Sequence, residues 1–375
     1  MRKLAAAWFL LMLGAATALA CSWDIDTIAR ELTGLPEVSD ALFGRLEINP
    51  PLYYQMRLER VSKEIQSKPD ELGLYDDAGV ACDKLGKLDQ AIEWMQKKKV
   101  RLDASKQPAD IIKDHRYRYH ANLGTFYAHK WVKQENKADT TLLKKGIAEL
   151  DEAVRINPDA HFGREIVQIK VLRLLEEKYG QGLIFDGPEF EADWMFFVSE
   201  VGHDKVQKGI IGIMLMGSGA ESPDMIYLLG LSTFGQEDKK SPRMREFYGG
   251  RIYELLNKGK KSLLIPENPR SIHVFDPNKS MGFSNVYKSG IQNGTDFRAR
   301  RTEYMMARLE KGEHPDTNPE FWKDYKEVPR MSLEMKSALQ KVFNGFLYNA
   351  NAIFACLGGL AILVAWLLHK RKARA

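Results

Sequence analysis

Cysteine is scarce in this chain, three residues in 375. That excludes a small scaffold stapled by dense disulfides. With 29 glycines and 15 prolines in a chain that is 44% hydrophobic, a collagen-like or wholly disordered chain is excluded too. Strand signals are few. Only residues 192–198 and 262–266 form short apolar runs that fit either a strand or a helix. Catalytic frames are also missing. No H-E-x-x-H occurs, and Gly217-Ser218-Gly219 lacks the G-x-S-x-G frame. Gly259-Lys260-Lys261-Ser262 carries Glu254 where a phosphate loop needs its first glycine.

An excess of charge is lacking as well, once the charges are located. The formal balance is +5, from 55 basic and 50 acidic residues. Arg2 and Lys3 precede an uncharged apolar run from Leu4 to Leu13, and Ala18-Leu19-Ala20 offers a small-x-small cleavage pattern. Residues 1–20 therefore read as a secretory signal. Cys21 follows directly, but Ala18 stands where lipoprotein signals usually carry leucine, so lipidation is the lesser reading. At the other end, Val342 to Leu368 contains no Asp, Glu, Lys or Arg, and His369-Lys370-Arg371-Lys372-Ala373-Arg374-Ala375 follows. This predicts a transmembrane helix over 346–368 with a cytoplasmic basic tail. Without the six basic residues at the two ends, the 55 become 49 against 50, a net of −1. The exported body is near neutral, so the basic balance does not argue for nucleic acid.

What is abundant is helical periodicity. Pro51 to Gln66 reads as a helix that Asn49 would cap, with Leu52, Met56, Val61 and Ile65 at helical spacing. Helices are predicted over Asp204–Met216, after Ser222-Pro223, after Ser241-Pro242 as far as Asn257, and over Asp296–Lys311. Residues 266–295, rich in Pro, Gly, Asn and Ser, read as an extended loop. Residues 312–330 read as loop in which Phe321, Trp322 and Tyr325 dock on an apolar surface.

One segment repeats. Leu72 to Ser105 carries Tyr75, Ala78-Gly79 and Cys82, then the turn Leu85-Gly86-Lys87-Leu88-Asp89, then Ala91-Ile92, Met95 and Leu102. His115 to Lys130 repeats the first half through Leu123-Gly124 and Tyr127. Thr141 to Ile156 repeats the second through Gly146-Ile147, Leu150 and Ala153, and Asn157-Pro158-Asp159-Ala160 closes it. A third first-helix follows over His161–Lys178, with Val167 and Val171. This pattern resembles the tetratricopeptide repeat family over residues 72–178. It departs from it by an insertion around Lys133–Thr140, by Asp103 where proline is expected and by Lys98 where a small residue is usual.

The resemblance implies an all-α fold: a tetratricopeptide-like α-solenoid with flanking helices and one C-terminal transmembrane helix. The organisation that follows is a signal over 1–20, an N-terminal helical cap over 21–71 and repeats over 72–178. A helical extension over 179–265, a loop-rich and helical stalk over 266–345, the span over 346–368 and the tail over 369–375 complete it. It also implies a groove lined by the first helices of successive repeats. Asp76 with Asp83, and Arg118 with Thr125, are seven residues apart; His129 continues the line and Glu165 follows in the third helix, with Lys84 and Arg173 beside them.

Other clusters carry weaker signals. His115, His120 and His129 are five, nine and fourteen residues apart, which does not supply metal-ligand spacing on one helix face. His203-Asp204 with Glu200 fits a helix start better than an acid–base pair. Cys82 reads as a small buried residue rather than a disulfide partner of Cys21. Asn278-Lys279-Ser280 and Asn293-Gly294-Thr295 are glycosylation sequons in a eukaryotic host only. The expectation is a membrane-tethered protein-interaction scaffold or peptide-binding module of the cell envelope. It would not be an enzyme and would use no cofactor, metal or nucleic acid. The alternative is an enzyme or enzyme accessory with its site in 180–330, where His203, His273 and His314 lie.

Overall fold

The computed structural model describes residues 24–26, 35–158, 160–183, 187–216, 219–234, 244–266, 269, 271–279 and 284–331. The expected signal, Cys21, the Ser241-Pro242 helix start, and the expected span and tail all lie outside these. Two compact units divide at residue 328. The second begins at Pro329, and only its first three residues are among those described. No helix among the described residues is long and apolar enough to cross a membrane.

The described residues of the first unit are all-helical, with twelve α-helices, three short 3-10 segments and no strand. In chain order these are α1 Val38–Phe43, α2 Pro51–Ser67, α3 Leu72–Lys84, α4 Leu88–Ala104, α5 Ala109–Lys133 and α6 Thr141–Ile156. Then follow α7 Arg164–Gly180, α8 Gly187–Val201, α9 His203–Met216, α10 Pro223–Leu231, α11 Met244–Asn257 and α12 Ser284–Leu309.

Local chemistry sets most boundaries. Pro51 opens α2 at a position where no intrahelical N–H is needed. Asn49 is not its cap. Pro50 stands there, while the Asn49 side chain donates to Asp26 at 3.3 Å and accepts from Arg301 at 3.1 Å. Ser222 caps α10 as expected, its Oγ accepting from Met225 N–H at 3.3 Å. Lys137, in the insertion between α5 and α6, caps the end of α5 by donating to the carbonyls of Trp131, Val132 and Gln134.

From α2 to α7 each helix packs on the next, and α3 also packs on α5. Close approach of α5 and α6 depends on two glycines. A Cβ on Gly124 would sit 2.8 Å from the Gly146 carbonyl oxygen, and a Cβ on Gly146 would sit 2.9 Å from that of Gly124. Cys82 is free and fully buried among α3, α4 and α5 side chains. Beyond α7 the pattern changes. α9 packs on α7, α8 and α10, and α10 packs on α11. Residues 192–198 belong to α8. Residues 262–266 are neither helix nor strand, because their N–H groups serve a buried carboxylate. Asp224 accepts from Leu263, Leu264 and Ile265 N–H and from Ser262 Oγ. Burial pushes the Asp224 pKa up, and these donors hold it down only in part.

The loop expected over 266–295 is helical from Ser284 onward. Its glycines serve contact with α1. A Cβ on Gly290 would lie 2.6 Å from the Phe43 ring, and one on Gly294 would lie 2.2 Å from the Phe43 carbonyl oxygen. Asn293 in that helix, the asparagine of the second sequon, accepts from Arg45, two residues past the end of α1, at 3.2 Å. Phe321 is fully buried against Tyr53, Met305 and Leu309, and Trp322 stacks on Tyr304, which is the docking expected of the 312–330 aromatics.

Candidate functional site

The residues expected to line a groove lie along α3, α5 and α7. On α5, His115, Arg118, Asn122, Thr125 and His129 follow one another at intervals of three and four, so they form one stripe along a single face. The stripe is polar throughout and sits largely inside the fold. That accounts for the weak amphipathic pattern of this long helix, because its inward faces include both this stripe and apolar residues such as Phe126 and Trp131.

Three pairings organise it. Asp76 is buried and accepts from Lys98 Nζ at 2.6 and 2.7 Å and from Asn122 Nδ2 at 3.0 Å. His115 Nδ1 lies 3.8 Å away. Burial raises the Asp76 carboxyl, but the Lys98 ammonium and His115 together outweigh this and hold its pKa low. Lys98, the oddity in the repeat pattern, is fully buried as the counter-charge. Asp83 lies beside His129, with its Oδ1 2.5 Å from Nδ1. Burial raises the Asp83 carboxyl as well, yet His129, Lys84 and Lys133 together bring it below the ordinary range. An ionised Asp83 accepts, so His129 donates from Nδ1. Thr125 Oγ1 accepts from Gln168 Nε2 of α7 at 3.3 Å. His129 Nε2 and Gln168 Oε1 are buried atoms with no hydrogen-bond partner.

The eight expected residues are thus divided. Asp76, Asp83, Thr125, His129 and Glu165 are buried. Asp83 and His129 are brought into direct contact. Lys84 and Arg118 are half-buried, and Arg118 pairs with Asp114 one turn earlier at 2.5 Å. Glu165 is met by its neighbour Arg164 at 3.0 Å. Arg173 lies away from the stripe, exposed and paired with Asp151 of α6 at 3.0 Å. Sequence reading missed Lys98, Asn122 and Gln168 as members. The three-four spacing on α5 was the signal that could have found Asn122.

The histidines of 180–330 have separate partners. His203 Nδ1 donates to the Ser232 carbonyl at 2.8 Å. His273 is exposed and stacks on Phe275. His314 is buried. Its Nδ1 accepts from Asp316 N–H at 3.1 Å, so Nε2 carries the proton given to the Tyr53 carbonyl at 3.0 Å. Burial pushes the His314 pKa down and keeps this tautomer neutral. Beside it, fully buried Arg57 joins Asp24, Asp26 and Asp316 at 2.6–3.0 Å, tying residues 24–26 and 316 to α2. No group of three potential metal ligands occurs among the described residues. No family model, no curated protein and no solved structure matches this chain.

Proposed function

We propose that the chain is a membrane-tethered helical-repeat protein. Its exported body would act as a scaffold or peptide-binding module of the cell envelope, in the manner of tetratricopeptide-like solenoids. The observation that supports this best is the run of packed neighbours from α2 to α7, with α3 also on α5, along which the α5 polar stripe extends. Stacking of alternate helices is how repeat arrays build a continuous binding face. Half-buried Lys84 and Arg118 are the members of that face a partner reaches directly, and the buried pairs fix their position. A signal, a span and a basic tail would place this body outside the cytoplasm.

The test is capture from envelope extracts. The full chain in detergent is compared with its Lys84→Glu/Arg118→Glu variant. The expected outcome is a discrete set of proteins retained by the unaltered chain and lost from the variant, with unchanged helicity. Identical sets would overturn the role given to this face.

A further inference from the structure

Helix α8 turns an apolar and acidic strip to solvent. Glu189, Asp193, Phe196 and Glu200 recur at intervals of four, three and four, so they share one face, and all are exposed. Phe196 is 63% exposed and its neighbour Met195 37%. A ring so open at the centre of an ordered helix is costly to hydrate. Asp193 reaches Lys170 of α7 at 2.7 Å. α8 packs on α9 and α10, and its buried apolar residues Phe190, Trp194 and Val198 recur at intervals of four.

A surface of opposite character lies between the start of α5 and the end of α6. It is a groove of about 420 Å³ lined by Ala109, Ile112 and Ile156 and by Lys113, Arg116 and Arg155. Its floor is firm, because Ile156 packs on the buried cluster of Tyr117, Ala121 and Ala153. Its rim is cationic. Lys113 and Arg116 are one turn apart on α5 and exposed. The acid facing Arg116 is Asp103, at 3.9 Å, and Arg155 pairs with Glu152 at 2.5 Å.

The two surfaces complement each other in both charge and polarity. One offers an aromatic ring flanked by acids, and the other an aliphatic trough flanked by bases. We propose that α8 of one copy docks in the α5–α6 groove of a second copy, with Phe196 over Ile112 and Ile156 and its acids toward Lys113 and Arg116. The contact is heterologous, so a pair of copies leaves a groove open at one end and an α8 at the other, and it propagates head to tail. It does not depend on what the α5 stripe binds.

Sedimentation velocity of the full chain in detergent, over a rising concentration series, reads the association. The unaltered chain is expected to associate with concentration. Phe196→Ala is expected to weaken this about tenfold or more, as loss of a central aromatic anchor does. Lys113→Glu/Arg116→Glu gives a copy with acidic groove and acidic helix; Asp193→Lys/Glu200→Lys gives one with basic groove and basic helix. Each alone is expected to stay monomeric, and their mixture to recover association. All these positions are exposed, and unchanged melting curves check the fold. A chain that is monomeric throughout, variants that associate like the parent, or a mixture that fails to recover would each overturn the proposal.

Discussion

Buried carboxylates stabilise a fold only when something holds their charge, and three aspartates of α3 differ in this. Asp76 has Lys98, and Asp83 has His129. Asp77 accepts from the Ile25 N–H at 3.0 Å, and no ion pair closes on it among the described residues. Burial, only partly offset by Arg57, pushes the Asp77 pKa from 3.8 up to about 6. Well below pH 3.8 both folded and unfolded chains hold the proton. As the pH rises toward 6 the unfolded chain ionises first, so stability falls, and above 6 the loss is complete. Asp77→Asn keeps the acceptor for Ile25 and removes the charge. It is expected to be more stable than the parent at pH 7.5, by on the order of 2 kcal/mol, with the difference shrinking to a fraction of that near pH 4. Denaturant titrations at the two pH values check this. The sequence marks Lys98 as odd within its repeat, but its partner Asp76 is 22 residues away on another helix. Spacing rules on one helix cannot reveal such a pair.

At the scale of the element, glycine misleads in one place and informs in another. Gly79, Gly124 and Gly146 fall at small positions of a repeat pattern, so their packing role is legible. Gly290 and Gly294 fall among Asn, Ser and Thr, where local rules favour a loop. They are helical because α1 lies on them, and that contact joins residues some 250 positions apart in the chain. Gly294→Ala places a methyl group into the Phe43 carbonyl and is expected to cost about 2 kcal/mol or more. At Gly73, inside α3, a Cβ meets nothing within 4 Å. Gly73→Ala is expected to stabilise by about 0.5–1 kcal/mol through helix propensity. Thermal melts of the two variants, shifted in opposite directions, check the assignment of 284–295 as a packed helix.

At the scale of the molecule, the all-α class and most helix positions follow from periodicity, turn residues and caps. The return of α12 to α1 and α2, and of residues 314–316 to Arg57, does not. Those contacts join distant parts of the chain through buried charge and aromatic rings, with no repeat to announce them. The candidate face was partly legible. Seven-residue spacing picks out the α3 and α5 positions, while their mutual pairing, and the exposed place of Arg173, emerge only from three dimensions. The central claim is that the face along α3, α5 and α7 meets a partner protein. A photo-crosslinking amino acid at Arg118, in the full chain in intact cells, tests it most directly, with exposed Val100 of α4 as the control position. Discrete cross-linked products are expected from position 118 and not from position 100. The same products from both positions, or none from 118, would contradict it.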